Sequence, residues 1–182
     1  MDTKLTGKTR IESDLIGARE IPAEALYGVQ TLRGIENFSI SKFRLSEYPL
    51  FIKGLAITKM AAAMANFELG LLTVEQKDAI IAACGEILDG KHHDQFPVDM
   101  IQGGAGTTTN MNANEVIANR ALELMGHERG EYQYCSPNDH VNCSQSTNDA
   151  YPTAIHIGMY FKHLQLLPHL EELIASFRKK GD

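Results

Sequence analysis

The chain has 182 residues, enough for one ordinary domain or for a domain plus part of a second. Hydrophobic residues make up 43% and charged residues 22%, the balance of a folded globular protein and not of a disordered one. The formal net charge of −6 gives phosphate backbones and anionic lipid no electrostatic hold, so no nucleic acid or membrane partner is expected; a small dianion held by local donors remains compatible with it.

The first residues, Met1-Asp2-Thr3-Lys4, lack a basic segment followed by an apolar run, so no signal peptide is expected. No apolar stretch approaches the ~18 residues of a membrane span. Cys84, Cys135 and Cys143 form no C-x-x-C pair and leave an odd thiol if two join, which fits a reducing, cytoplasmic compartment with idle thiols.

Through about Tyr27 the chain reads as loop with one brief strand, and a short helix is expected around Val29 to Phe38. From Leu50 to Leu69 the pattern is helical, with Phe51, Leu55, Met60, Met64 and Phe67 at three-to-five-residue intervals. Thr73-Val74-Glu75-Gln76 fits a capping box and opens a helix whose buried face would hold Ile80, Ile81, Cys84 and Leu88. His92 to Gly106 reads as loop, followed by a helix from about Met111 to Leu124. Glu131 to Ser146 is irregular, and a long apolar helix runs from about Asn148, where Pro168 should kink or split it. Met159, Leu166, Leu170, Leu173, Ile174 and Phe177 make that helix a candidate for packing into a bundle.

Two polar loops that run into helices are the candidates for chemistry. In the first, Gly103 to Asn112, glycines permit close backbone approach, and three threonine hydroxyls with amide side chains supply donors. The helix start adds positive potential suited to a carboxylate or phosphate. Thr and Asn are also ordinary N-caps, and the local pattern of this loop favours capping. It has neither a P-loop ending nor the G-x-G-x-x-G spacing.

In the second, Ser136 to Asp149, the run Ser146-Thr147-Asn148 could bind both oxygens of one carboxylate or cap a helix, and the pattern supports both readings alike. His92-His93 beside Asp94 reads as a solvated turn, since adjacent side chains diverge and no third metal ligand is spaced nearby. His140 either orients a ligand or braces its loop. No Ser-His-Asp or Cys-His arrangement is present, and the residues alone supply no convincing general base.

At these same loops the sequence resembles the aspartase/fumarase superfamily. The resemblance runs from Arg10-Ile11-Glu12-Ser13-Asp14-Leu15-Ile16-Gly17 through Tyr27-Gly28-Val29-Gln30-Thr31-Leu32-Arg33 and Asp94-Gln95-Phe96-Pro97-Val98-Asp99. It continues through the Gly-Gly-Ala-Gly-Thr loop and Asn110-Met111-Asn112-Ala113-Asn114-Glu115 to Gln145-Ser146-Thr147-Asn148-Asp149. Gly130-Glu131-Tyr132-Gln133-Tyr134 and the segment from Gln145 to Thr153 are similar to the aspartase branch, where fumarases put Ser-Ser-Asn.

The resemblance implies a mainly α fold: an N-terminal helical domain with minor short strands over residues 1–145, then the first long helix of a central bundle over 146–182. It implies reversible elimination of ammonia from L-aspartate to give fumarate through an aci-carboxylate. Thr107, Ser146, Thr147 and Asn148 would hold the substrate carboxylates, Ala105 and Gly106 would lend backbone contacts, and Asn138, Asp139 and His140 match a secondary anion site. It implies a homotetramer and no cofactor, with metal activation left open. The family's serine base sits on a Gly-Ser-Ser-x-Met-Pro-x-Lys-x-Asn-Pro loop, and that loop is missing here, so the chain is expected to be an N-terminal portion, inactive alone. A class II fumarase and a non-catalytic assembly role are the alternatives.

Overall fold

The computed structural model describes residues 7–181; the sequence start read above for a signal peptide lies outside the described residues. The fold is mainly α-helical, as expected. It opens with a two-stranded antiparallel hairpin, β1 (Thr9–Asp14) and β2 (Gly17–Pro22), where one brief strand was expected. The turn carries no Asn-Gly signal. The Asp14 carboxylate makes it instead, accepting the N–H groups of Ile16 and Gly17 at 2.9 and 3.1 Å.

Helix α1 (Val29–Asn37) follows, then α2 (Pro49–Glu68), α3 (Val74–Leu88), α4 (Thr107–Leu124) and α5 (Thr147–Gly181). Short 3₁₀ turns at Leu45–Glu47 and His93–Gln95, and a π-helical turn at Pro137–Val141, shape the connections. The capping box of α3 is present: Thr73 Oγ1 accepts from the Gln76 N–H, and Gln76 Oε1 accepts from the Thr73 N–H.

Helix α4 is the axis of the core. Asn112, Ala113, Val116, Ile117, Ala118, Asn119, Ala121 and Leu122 all have zero exposure, and α1, α3 and the π-helical turn pack around them. Buried asparagines on α4 tie loops to it. Asn112 donates to the Gln95 carbonyl at 3.0 Å, and Asn119 donates to the Leu26 carbonyl at 2.8 Å.

The first turn of α1 is closed by two carboxylates distant in sequence. Glu12 accepts the Val29 N–H, while Glu115 accepts those of Gly28, Gln30 and Thr31. Four orphan donors of a helix start are thereby satisfied. Gly28 is required for this approach, because a Cβ there would lie 2.6 Å from Glu12 Oε2.

Several expectations are corrected. Helix α4 begins at Thr107, four residues before the expected Met111, because Gly106 in the left-handed region (φ 88°) starts it. Pro168 does not split α5, which runs unbroken for 35 residues, about 50 Å at 1.5 Å per residue.

The buried stripe of α2 is Ile52, Leu55, Ala56, Lys59, Ala63 and Asn66, with Phe51, whereas Met64 and Phe67 face out. Alanine and methionine cover both sides of that helix, so apolar spacing alone did not select the face. On α3, Ile87 and not Leu88 completes the buried face with Ile80 and Cys84.

By length and composition α2 is also apolar enough to cross a membrane, contrary to the sequence reading. Here it is packed against α3 and α5 with a buried lysine at its centre. Cys84 and Cys135 are buried and Cys143 is half-buried, all three as free thiols.

Helix α5 packs on α2 at its N-terminal end, where Ala150, Ala154 and Gly158 are buried; from Lys162 onward every described residue is exposed. Its apolar side chains there, Leu166, Leu170, Leu173, Ile174 and Phe177, are uncovered, and His156, His163 and His169 face solvent.

Candidate functional site

The two polar loops are neighbours in space. Gly106, the N-cap of α4, lies so close to the Tyr151 ring of α5 that a Cβ at 106 would overlap it. One turn further along α4, buried Asn110 donates through Nδ2 to Thr147 Oγ1 at 3.1 Å. The start of α4 and the start of α5 are thus pinned side by side, and both helix dipoles present positive potential to one region.

Capping accounts for only part of the polar side chains. Ser146 Oγ does cap α5, accepting the Asn148 N–H at 3.3 Å. Thr107 caps nothing. That service to α4 comes from Gln102, whose Oε1 accepts the Thr109 N–H at 2.8 Å and whose Nε2 donates to Thr109 Oγ1 at 2.6 Å. Among the described residues no hydrogen bond engages Thr107 Oγ1 or the Asn148 side chain, and both residues are exposed, as are Ala105 and Ser146. Uncommitted donors at two adjoining helix starts can receive a carboxylate.

Beneath them lies a polar network that reading the sequence missed. Asn142 Oδ1 accepts both Asn110 Nδ2 at 3.0 Å and Lys59 Nζ at 2.9 Å, and Lys59 also donates to Gln145 Oε1 at 3.0 Å. Asn66 donates to the Cys143 carbonyl at 2.8 Å, and Ser144 takes a left-handed turn (φ 56°) between these anchors. Burial pulls the Lys59 amine down to about 7. The available signal was Lys59 itself, a cation near the middle of the most apolar helix and on its buried face.

The three residues matched to a secondary anion site lie on and beside the π-helical turn. Ser136 caps that turn, its Oγ accepting the Asp139 N–H at 3.1 Å and donating to Asp139 Oδ2 at 2.9 Å. His140 Nδ1 accepts the Ser136 N–H at 2.7 Å, its Nε2 lies 3.2 Å from the Gln76 side chain, and burial lowers its pKa. The ring braces the loop. Asn138 is exposed on the rim of a cleft shared with Leu15, Ile16, Gln30 and Arg33. The Arg33 guanidinium is committed to Asp14 at 2.8 and 2.9 Å.

His92 and His93 diverge, the first toward Glu86 Oε2 at 2.8 Å and the second toward the Ile87 carbonyl at 2.9 Å.

A family model described as Lyase matches residues 17–182. The chain is 57% identical over 173 residues to an aspartate ammonia-lyase of Pseudomonas canavaninivorans, covering 95% of this chain and 36% of the relative. It is 55% identical over 178 residues to an aspartate ammonia-lyase of Escherichia coli K12, covering 97% and 37%.

Among solved structures it is similar to a fumarate lyase:delta crystallin from Brucella melitensis in native form, at 52% identity and a TM-score of 0.93, over 96% of this chain and 40% of that one. A class II fumarase from Schistosoma mansoni matches with a TM-score of 0.77 at 39% identity, over 83% and 32%. The chain spans a little over a third of the length of the curated relatives it matches.

Proposed function

Because this chain belongs to the lyase family, we propose that it supplies the carboxylate-binding elements of an aspartate ammonia-lyase, which reversibly eliminates ammonia from L-aspartate to give fumarate. The observation that carries the reading is the Asn110–Thr147 hydrogen bond, which sets the start of α4 beside the start of α5. The relatives named aspartate ammonia-lyase support the choice of substrate.

The reaction removes a proton from Cβ, next to a carboxylate, and the electron pair left behind spreads onto that carboxylate as an aci-carboxylate dianion. Loss of the Cα–N bond then releases ammonia. Donors held in advance around those oxygens lower the barrier because they need not reorganise as charge builds. Thr107, Ser146, Thr147 and Asn148 are assigned that role, with the backbone at Ala105 and Gly106 assisting. Asn138, Asp139 and His140 are assigned at most a secondary anion contact, since His140 and Asp139 are spent on Ser136.

Among the described residues none stands at these donors as a base. Lys59 is sealed in the core, and His140 is turned to its own loop. The 182-residue chain is therefore proposed to be inactive by itself, with the complete cytoplasmic enzyme assembling as a homotetramer around bundled helices such as α5. A class II fumarase, eliminating water from malate, is the rival that the Schistosoma fold favours.

The test is turnover by the full-length protein, followed as fumarate absorbance, with aspartate and malate as alternative substrates. Aspartate turnover that falls with Thr107→Ala and Thr147→Val supports the proposal. Turnover of malate alone, or indifference to both substitutions, overturns it.

A further inference from the structure

We infer that Lys59 is a positioning residue for this site: from the core it fixes which way the Asn142 amide faces, and so sets the direction in which the Thr147 hydroxyl donates. The inference rests on the site reading above and adds a residue that touches no substrate.

Lys59 is fully buried in α2, one turn from Leu55 and Ala56 on one side and Ala63 on the other. Among the described residues it pairs with no carboxylate. Burying an amine is costly, and methionine or leucine would fill the same space without that cost. What the amine supplies is direction. As an ammonium, lysine only donates, and the Asn142 and Gln145 side chains both turn their oxygens to it.

With Oδ1 so held, Asn142 sends Nδ2 to the Gln145 carbonyl at 3.1 Å, and its remaining Oδ1 lone pair receives Asn110 Nδ2 at 3.0 Å. The Asn110 amide is then oriented as well. Its Nδ2 also donates to Thr147 Oγ1 at 3.1 Å. A hydroxyl that accepts from Asn110 must send its own hydrogen elsewhere. Donor polarity passes from Lys59 through Asn142 and Asn110 to Thr147.

Without the amine, Asn142 Oδ1 loses one of its two donors, and only the Gln145 carbonyl on Nδ2 still opposes a rotation that would face Asn110 with NH₂, donor against donor. Thr147 then loses its fixed partner. The loop can stay folded while its donors lose their aim, and this separates positioning from simple support of the core.

The experiment is a double-mutant cycle on the full-length enzyme with Lys59→Met and Thr147→Val, reading kcat/KM for aspartate and the inhibition constant of succinate, a plain dicarboxylate. Thermal melts confirm that each variant folds. Each single change is expected to lower kcat/KM by about tenfold or more, the scale of a misplaced contact. The pair is expected to fall little below the worse single variant, because both cut one chain.

Losses that multiply, or a Lys59→Met enzyme as good as wild type, overturn the inference while leaving the site intact. A harmless Thr147→Val also overturns the inference, and if Thr107→Ala is harmless as well the site reading itself falls. Should Lys59→Met not fold, Asn142→Ala severs the chain at its midpoint and enters the same cycle with the same two outcomes.

Discussion

Glu115, midway along α4, accepts the Thr31 hydroxyl at 2.6 Å although 84 residues separate the two in sequence. The same carboxylate takes three backbone N–H groups at the start of α1, so one buried side chain holds that helix against the core axis. Burial pushes its pKa up, and the four donors around it oppose that shift. Glu115→Ala would strand all four donors. A loss of about 3 kcal/mol or more is expected by chemical denaturation, and a loss below about 1 kcal/mol would refute the account. Glu115→Gln should fall between, since its NH₂ would face donors.

The helices were legible in the sequence because their spacing and the Thr73–Gln76 box are local signals. The hairpin was half hidden, because its turn depends on the Asp14 side chain and not on a turn dipeptide. The start of α4 was misplaced because Gly106 and Gln102 do what a Thr or Asn cap was expected to do. At the site, Thr107 and Ser146 to Asn148 stood out by their density of hydroxyl and amide groups. The Lys59–Asn142–Asn110 chain did not, because its members lie on three separate segments and only tertiary packing makes them one network.

Lys59 should leave a signature in the pH dependence of stability. Its amine titrates near 7 when folded and near 10.4 when the chain is unfolded. Between those values the unfolded chain binds a proton that the folded chain lacks, so stability rises with pH there and is level below about 7. Relative to Lys59→Met, the wild-type chain should gain up to about 1.4 kcal/mol per pH unit across that window. Denaturation of both at pH 6, 7.5 and 9 measures it, and a constant difference would refute it.

The opposite sign holds for Glu86. The Arg120 guanidinium, with Nη2 at 2.8 Å from Oε1, holds its carboxyl down to about 2, and His92 assists. A depressed carboxyl contributes stability above its ordinary value of 4.5, and that contribution fades as pH falls toward 2. The pair is partly solvated, so Glu86→Gln should cost no more than about 1 kcal/mol at pH 7. The difference between the two proteins should vanish by about pH 2 to 3. A cost that grows on acidification would contradict the pairing.

Helix α5 owes its seat on α2 to two glycines. A Cβ on Gly54 would collide with the Ala154 carbonyl, and one on Gly158 would come 3.1 Å from the Leu50 carbonyl oxygen and the Phe51 Cα. The obstacle is backbone in both cases, so no side-chain rotation relieves it. Gly54→Ala is expected to cost about 1–3 kcal/mol, and in the full-length enzyme to raise KM for aspartate, because Thr147 and Ser146 ride on the same helix.

Gly85 in α3 is the control. A Cβ there meets nothing within 4 Å, so Gly85→Ala should stabilise by about 0.5–1 kcal/mol through the helix preference alone. Equal effects of the two substitutions in denaturant would mean that close approach of α2 and α5 does not govern the placement of the site.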